Sequence, residues 1–448
     1  MADYRVFFDF GSTFTKAAAF DLETETLAAR VQTPSTVGDD ITIGLRRAVD
    51  LLRERIPLSD TGIKSAVACS SAAGGLRVAA AGLVPDYTTA AAKTAALGAG
   101  AKVVGTFSYE LSRAELAELE SLAPDIVLLA GGTDGGNKSV ILHNAGLLAQ
   151  SAVPVVIAAG NKSARDEIAD IFDRAGKAVT FAANVMPELG KIETEQVNAA
   201  IRGLFLSRIT EAKGISKVSG IISGVRMPTP AAVLEAAKLL SGGTANEPGL
   251  GELLLIDAGG ATTDVYSVAS GTPTRGAARV QGVPEPYAKR TVEGDLGLYH
   301  NIDTLAALAG VSADAAENLR VTLSVPDDAS ADVHARLTGT AVAAAAARHA
   351  GRVEALATGA GDVLVQHGKD LSDVRVIIGS GGPVAYSPRA REILGRAAFS
   401  PLEADSLRPK NAEYLCDREY ILFAVGLLAQ SEPDAALRIA KKYLAVVG

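Results

Sequence analysis

The chain has 448 residues, 48% of them hydrophobic, with 43 basic against 51 acidic side chains and a net charge of −8. That length supports two or three domains with sizeable cores, and the acidic balance opposes a general electrostatic affinity for nucleic acid. Two distant cysteines, Cys69 and Cys416, stand in no CxxC pair, which argues against a disulfide framework or a thiolate zinc site and fits a reducing cytoplasm.

The first residues enter a strand-like run at once, so no signal peptide is expected. No uninterrupted apolar stretch reaches the roughly 18 residues of a membrane span, and the Ala-rich run at 341–347 stops at Arg348 and His349. Residues 5–10, 17–20 and 27–32 suggest an opening antiparallel meander, and 41–55 a helix with apolar Ile43, Val49, Leu51 and Leu52. A short strand through Val67 and Ala68 ends at Cys69-Ser70-Ser71.

Residues 125–190 form a distinct block with apolar runs at 125–130, 153–159 and 178–183, each closing on small or amide residues. Helical sequence lies between, as at 163–175 with Ser163 as cap. This reads as a small parallel α/β unit, inserted at about 100–190. Its loops, including Gly131-Gly-Thr-Asp134-Gly-Gly-Asn137, fit either ligand contact at strand ends or the plain turns that βα units require.

A flexible Ser241-Gly-Gly-Thr-Ala-Asn-Glu-Pro-Gly-Leu-Gly251 stretch sets the main boundary, with one lobe at 1–240 and another at 241–448 whose final helices pack back on the first. Helical sequence dominates 303–368, a strand runs from Val374 to Ile378, and helices near 411–430 and 433–446 close the chain.

Three constellations carry chemistry. In the first, the run Val6-Phe-Phe-Asp9 leads into Gly11, Ser12, Thr13, Thr15 and Lys16. Turn N–H groups and hydroxyls can meet phosphate oxygens. Asp9 can hold hydrated Mg²⁺, which prefers few carboxylates and retained waters, and Lys16 can add charge beside the phosphates. The second repeats this form, with Leu253-Leu-Leu-Ile-Asp257 and then Gly259, Gly260, Thr262, Thr263 and Asp264. There Asp257 can bind the metal's water shell and orient an attacking water; positioning and charge supply most of the catalysis in phosphoryl transfer. The third is Val376-Ile-Ile-Gly379-Ser-Gly381-Gly382, a strand and glycine turn against which an adenosine can lie. Each alone also reads as an ordinary buried turn.

In that order and spacing the three resemble the actin-like ATPases, the superfamily of sugar kinases, Hsp70 and actin. The resemblance implies an α/β fold of two ribonuclease-H-like lobes with ATP and Mg²⁺ between. Rival nucleotide motifs are missing: there is no GxxxxGK[ST] and no outstanding GxGxxG.

A closer resemblance rests on 69–84, Ala96 to Val104, Ala130-Gly-Gly-Thr-Asp-Gly-Gly136, Arg290-Thr-Val-Glu-Gly-Asp-Leu-Gly297, Arg348 to Arg352, Cys416-Asp-Arg-Glu-Tyr420 and Gly426 to Ala429. Together these resemble the glutamate-mutase-associated family called GlmL or MutL, unrelated to the mismatch-repair protein of that name. The family implies an actin-like ATPase that reactivates an adenosylcobalamin-dependent mutase or aminomutase, using ATP to release damaged cobalamin. It also favours Glu293, which with Asp295 flanks Gly294, as a catalytic residue beside Asp257. Phosphate contacts fall to Thr13 and Thr262, adenosine contacts to Gly381 and Gly382, and Mg²⁺ to Asp9 and Asp257.

Other residues offer less. His143, His300, His334, His349 and His367 lack metal-ligand spacing, and Asp332-Val-His334 departs from the cobalamin-binding Asp-x-His-x-x-Gly pattern at Leu337. No GxSxG nucleophile elbow occurs. The alternatives are a small-molecule kinase using the same cleft, a filament-forming actin relative, and an ATPase subunit like those of hydantoinases or acetone carboxylase. The partner mutase, a separate small subunit and a homo-oligomer stay open.

Overall fold

The structure, a computed structural model, describes residues 4–71, 76–211, 215–276, 278–322, 330–358 and 361–447. Residues 72–75, part of the 69–84 segment that carries the family resemblance, lie outside them. The chain divides into two compact units, one of residues 1–72, 210–279 and 287–448, the other of 73–209 with 280–286.

The first unit contains the same sheet twice. The strands Tyr4–Phe10, Phe14–Asp21 and Thr26–Pro34 form the antiparallel meander. On the free side of the first strand, Val67–Ser70 and then Gly224–Pro228 add in parallel. The second sheet repeats this with Leu253–Ala258, Thr263–Val268 and Ala288–Glu293 as meander, and Val376–Ser380 then Glu413–Asp417 as parallel additions. A short strand, Leu444–Val446, closes its far edge antiparallel. Two sheets of one strand order, each a meander followed by two parallel strands, make the duplicated ribonuclease-H-like arrangement of the actin-like fold.

The central strand of the second sheet is buried on both faces and therefore reads as a continuous apolar run. Leu253 and Leu255 enter one core with Phe7 and Phe20 of the first sheet and with Leu234, Leu240, Phe423 and Leu427. Leu254 and Ile256 enter another with Leu305, Leu337 and Leu394. The helices Thr229–Gly242 and Leu422–Leu428 of the first core approach so closely that a Cβ on Gly426 would lie 1.8 Å from the Ala232 carbonyl oxygen. The last helix, Pro433–Tyr443, is tied to the first meander by Arg438 on Glu25 and by the Leu27 N–H donating to the Tyr443 hydroxyl at 2.9 Å.

Several elements differ from the sequence reading. The boundary expected at 240/241 falls between the strands of the first sheet, 4–228, and those of the second, 253–446, but inside one compact unit, because the helix Thr229–Gly242 packs in one core with both sheets. Residues 352–367, expected helical, form the antiparallel strands Arg352–Thr358 and Gly361–His367. The preceding helix ends at His349 before Gly351, and the segment after that glycine is short and carries Val353, Val363 and Val365, which suit a strand. The helix expected near 411–430 begins only at Leu422, since Glu413–Asp417 is an inner strand and Asp417 takes the N–H groups of Ile421 and Leu422.

The second unit is an all-parallel sheet in the order Lys102–Ser108, Arg77–Gly82, Ile126–Leu129, Val156–Ala158, Val179–Phe181. It starts at residue 73, well before the expected position near 100, because Arg77–Gly82 pairs with strands on both sides. The helix expected at 163–175 runs over Arg165–Arg174 and has no side-chain cap; Ser163 lies in the preceding 3-10 turn Lys162–Ala164, which Asn161 caps by accepting the Ser163 N–H at 2.9 Å. Among the described residues no helix is long and apolar enough to cross a membrane.

Candidate functional site

The two hairpins correspond residue by residue. Gly11 N–H donates to the Phe14 carbonyl at 3.0 Å, and Gly259 N–H to that of Thr262 at 2.9 Å, so both turns close alike. In the ladders Asp9 stands opposite Lys16, and Asp257 opposite Asp264. The repeat therefore pairs its Asp with a cation in one copy and with a second carboxylate in the other. The turns also face each other, since a Cβ on Gly260 would lie 3.6 Å from Thr13 Oγ1.

Asp9 is buried and well supplied. Its Oδ2 accepts from Lys16 Nζ at 3.2 Å, and its Oδ1 accepts from Thr229 Oγ1 at 2.6 Å. Lys16 in turn lies over the Tyr420 ring, 3.9 Å from its centroid. Thr229 opens the helix Thr229–Gly242 and Tyr420 comes just after the strand Glu413–Asp417, so three segments distant in sequence converge on this one carboxylate.

Asp257 is the opposite case. Its Oδ1 is enclosed and has no hydrogen-bond partner. Burial, then the neighbouring carboxylate of Asp264, raise its pKa to about 7, with Asp9 and Asp417 adding to the repulsion against Lys16. Asp264 has the cation that Asp257 lacks: the Arg290 guanidinium lies 2.6 Å from Asp264 Oδ1, and Thr262 Oγ1 donates to its Oδ2 at 2.9 Å.

Both hairpins line one cleft of about 520 Å³, a size suited to a nucleotide. Asp9, Gly11, Ser12, Thr13, Lys16, Asp257, Gly259, Gly260, Thr262 and Gly382 of the expected site are all on its wall. Its lining also includes the apolar side chains Leu298, Ile302, Leu319 and Leu337, which belong to or pack against one hydrophobic core.

Four expected site residues are not brought to the wall. Thr263 and Glu293 are ladder partners, one residue out of step with Asp264, so they project from the other face of the sheet. Thr263 Oγ1 donates to the Leu296 carbonyl at 2.7 Å, and Glu293 accepts from Arg348 at 2.8 Å, which also grips Asp295. Gly379 belongs to the strand Val376–Ser380, where a Cβ would meet Leu394 and Val384 at 2.7 Å; it makes room for packing. Gly381, with φ of 85°, gives way to the site: a Cβ there would lie 2.7 Å from Asp257 Oδ1 and 2.1 Å from the Ala258 carbonyl oxygen.

Thr229, Tyr420 and His334 line the cleft without having been singled out for it. Pro228-Thr229-Pro230, a hydroxyl held at a helix start, was the available signal for the first. In the other unit, the 131–137 loop is tied to the neighbouring strand-end loops: Asp134 Oδ1 accepts from Lys162 N–H at 3.0 Å and from Asn184 Nδ2 at 2.9 Å, and Asn161 Oδ1 accepts Gly135 N–H at 3.0 Å.

The donor set fits a hydrated divalent cation. Among the described residues no three His, Cys, Asp or Glu side chains gather into a cage. Mg²⁺ does not need one, since it commonly keeps several waters and takes one or two carboxylates with phosphate oxygens. The orphaned Asp257 Oδ1 and its raised pKa mark a place short of positive charge.

The chain matches the MutL protein family over residues 5–444. It is 42% identical to Protein MutL of Clostridium tetanomorphum, over 99% of this chain and 100% of that protein. Similar solved structures include the activator of 2-hydroxyisocaproyl-CoA dehydratase from Clostridium difficile with bound ADPNP, at 10% identity, 99% and 100% coverage and a TM-score of 0.31. Another is xylulose kinase from Bifidobacterium adolescentis, at 11% identity, 100% and 96% coverage and a TM-score of 0.32. Superpositions at that level leave the fold to rest on the repeated strand order. The chain belongs to the MutL protein family.

Proposed function

We propose that this member of the MutL protein family is an ATP-driven reactivating chaperone for an adenosylcobalamin-dependent mutase or aminomutase. The observation that carries the ATP-dependent part is the pair of matching hairpins, Asp9 with Lys16 and Asp257 with Asp264, on the wall of one cleft. The partner is inferred from the family resemblance of the sequence.

The two hairpins divide the work by charge. Lys16, held by Asp9 and Tyr420, offers its ammonium to the phosphates together with the Thr13 hydroxyl and the turn N–H groups. Asp9 and Asp257 would hold Mg²⁺ through its waters, and the bound ion would neutralise charge on the phosphate oxygens. Asp257, with its pKa near 7, is suited to orient a water and accept its proton. Arg290 keeps Asp264 in place opposite it.

The apolar part of the lining, with Leu337, and the glycine turn at Gly382 would accommodate the nucleoside. A triphosphate touching both hairpins favours a closed cleft, and its hydrolysis removes that bridge and shifts the population toward an open one. That motion, transmitted to the bound mutase, would loosen its grip on damaged cobalamin.

The test is to inactivate a candidate mutase in turnover, add the purified chain with ATP and Mg²⁺, and follow release of cobalamin by its absorbance. Release that needs hydrolysable ATP supports the proposal. Release unaffected by omitting the chain contradicts it, and phosphate appearing on a metabolite instead would favour a small-molecule kinase.

A further inference from the structure

Thr229 is on the cleft wall as the first residue of the helix Thr229–Gly242, and its hydroxyl donates to Asp9 Oδ1 at 2.6 Å. The Cys69 thiol, opposite Asp9 in the ladder, lies 3.7 Å from the same oxygen. The other oxygen, Oδ2, accepts from Lys16 at 3.2 Å and is the one beside the glycine turn: a Cβ on Gly11 would lie 3.9 Å from it. The carboxylate is thus set with Oδ1 turned to Thr229 and Oδ2 to the turn. Its last torsion is broad and roughly two-fold, so an unheld carboxylate would exchange the two oxygens. A donor fixed on one side removes that freedom.

Neither the fold nor the helix requires this donor. In the second sheet the residue opposite Asp257 is Ser380, whose hydroxyl donates to Asp417 at 3.2 Å. Asp257 Oδ1 has no partner there. One strand order is therefore built once with a hydroxyl on the hairpin carboxylate and once without. The helix Thr229–Gly242, entered through Pro228 and Pro230, has no side-chain cap, so the Thr229 hydroxyl is not spent on the helix end.

From this placement we infer that Thr229 is a positioning residue for the divalent cation, holding Asp9 so that Oδ2 is presented to the hydrated ion. The inference rests on the reading of the cleft as a nucleotide site that takes Mg²⁺. A carboxylate oxygen has two lone pairs, so Oδ2 can accept from a metal-bound water beside Lys16. Hydrogen-bond partners behind a metal-binding carboxylate typically carry about 10- to 100-fold of the metal affinity.

The test compares dissociation constants for ADP with Mg²⁺ and with EDTA. They are measured on the wild-type chain, Thr229→Val, Thr229→Ala and Thr229→Ser, alongside the unfolding midpoint of each free protein. The wild type should bind ADP at least about tenfold more tightly with Mg²⁺, and Thr229→Val and Thr229→Ala should lose that advantage. Both should bind metal-free ADP as the wild type does. Thr229→Ser, which keeps the hydroxyl, should retain most of the advantage. A hydroxyl that only supports the fold would instead lower the unfolding midpoint and weaken both forms of ADP alike.

A Mg²⁺ advantage that survives in folded Thr229→Val or Thr229→Ala, or is lost equally in Thr229→Ser, overturns the inference and leaves the cleft reading standing. So does failure of both Thr229→Val and Thr229→Ala to fold, or a wild type that binds ADP equally well with and without Mg²⁺. A wild type that binds ADP in neither condition overturns the cleft reading itself.

Discussion

Asp257 and Asp264 stand directly opposite each other in the second hairpin, and only Asp264 is paired with a cation, Arg290. The equivalent positions of the first hairpin hold Asp9 and Lys16, joined at 3.2 Å. One duplicated turn has thus become a neutral pair and the other a doubly acidic one. On the proposed reading, the difference separates a group that would hold phosphate from a group that would handle water.

Asp257→Asn should lower ATP hydrolysis at least about 100-fold, the usual contribution of a positioned base, while nucleotide affinity changes only a few-fold. Because the buried carboxylate is repelled by Asp264, the free variant should be as stable as the wild type or more so. Phosphate release and a thermal melt on the same preparation check both parts.

Lys16→Met acts in the other direction. It leaves Asp9, 2% exposed, without its ammonium partner, and removing one member of a buried pair costs about 3–5 kcal/mol. Chemical denaturation should show a loss of that order, and ATP affinity should fall as well. Lys16→Arg, which keeps the charge but not the fit over Tyr420, should recover stability better than affinity.

Glu293→Gln separates the sequence reading from the geometry. Glu293 is joined to Arg348 on the face of the sheet away from Asp264. The substitution should cost no more than about 1 kcal/mol, since Arg348 is partly exposed and keeps Asp295. Hydrolysis should stay within a few-fold of wild type; a 100-fold loss would return Glu293 to the reaction.

Acid should weaken the protein through His334. Its folded pKa, about 4, lies below the ordinary value near 6.5, so the unfolded chain binds the proton first. The contribution is whole above about pH 6.5 and is lost progressively as pH falls toward 4, to at most about 3 kcal/mol. Relative to wild type, His334→Leu should flatten the stability curve across that window, as read by denaturant midpoints from pH 4 to 7.

Much of this was legible in the chain because local rules and tertiary placement agree there. A buried central strand must be apolar throughout, so the Asp ending Leu253–Asp257 and the glycine after it stood out, and its twin at Asp9 gave the duplication. The misplacement of Glu293 and Thr263 turns on one residue of register, which decides the face of a sheet and leaves no local mark. Thr229, Tyr420 and His334 come from elements far apart in sequence that meet only on packing. The strand pair at 352–367 follows an Ala-rich helix, and only Gly351 with Val353, Val363 and Val365 marks the change.

The most direct measurement is recovery of turnover. A cobalamin-dependent mutase inactivated in use is incubated with fresh adenosylcobalamin, Mg²⁺, ATP and either the wild-type chain or Asp257→Asn. The account predicts that activity returns with the wild type and ATP, and not with Asp257→Asn or with a non-hydrolysable analogue. Equal recovery with the wild type and Asp257→Asn, or none with the wild type on a mutase to which it demonstrably binds, would contradict it.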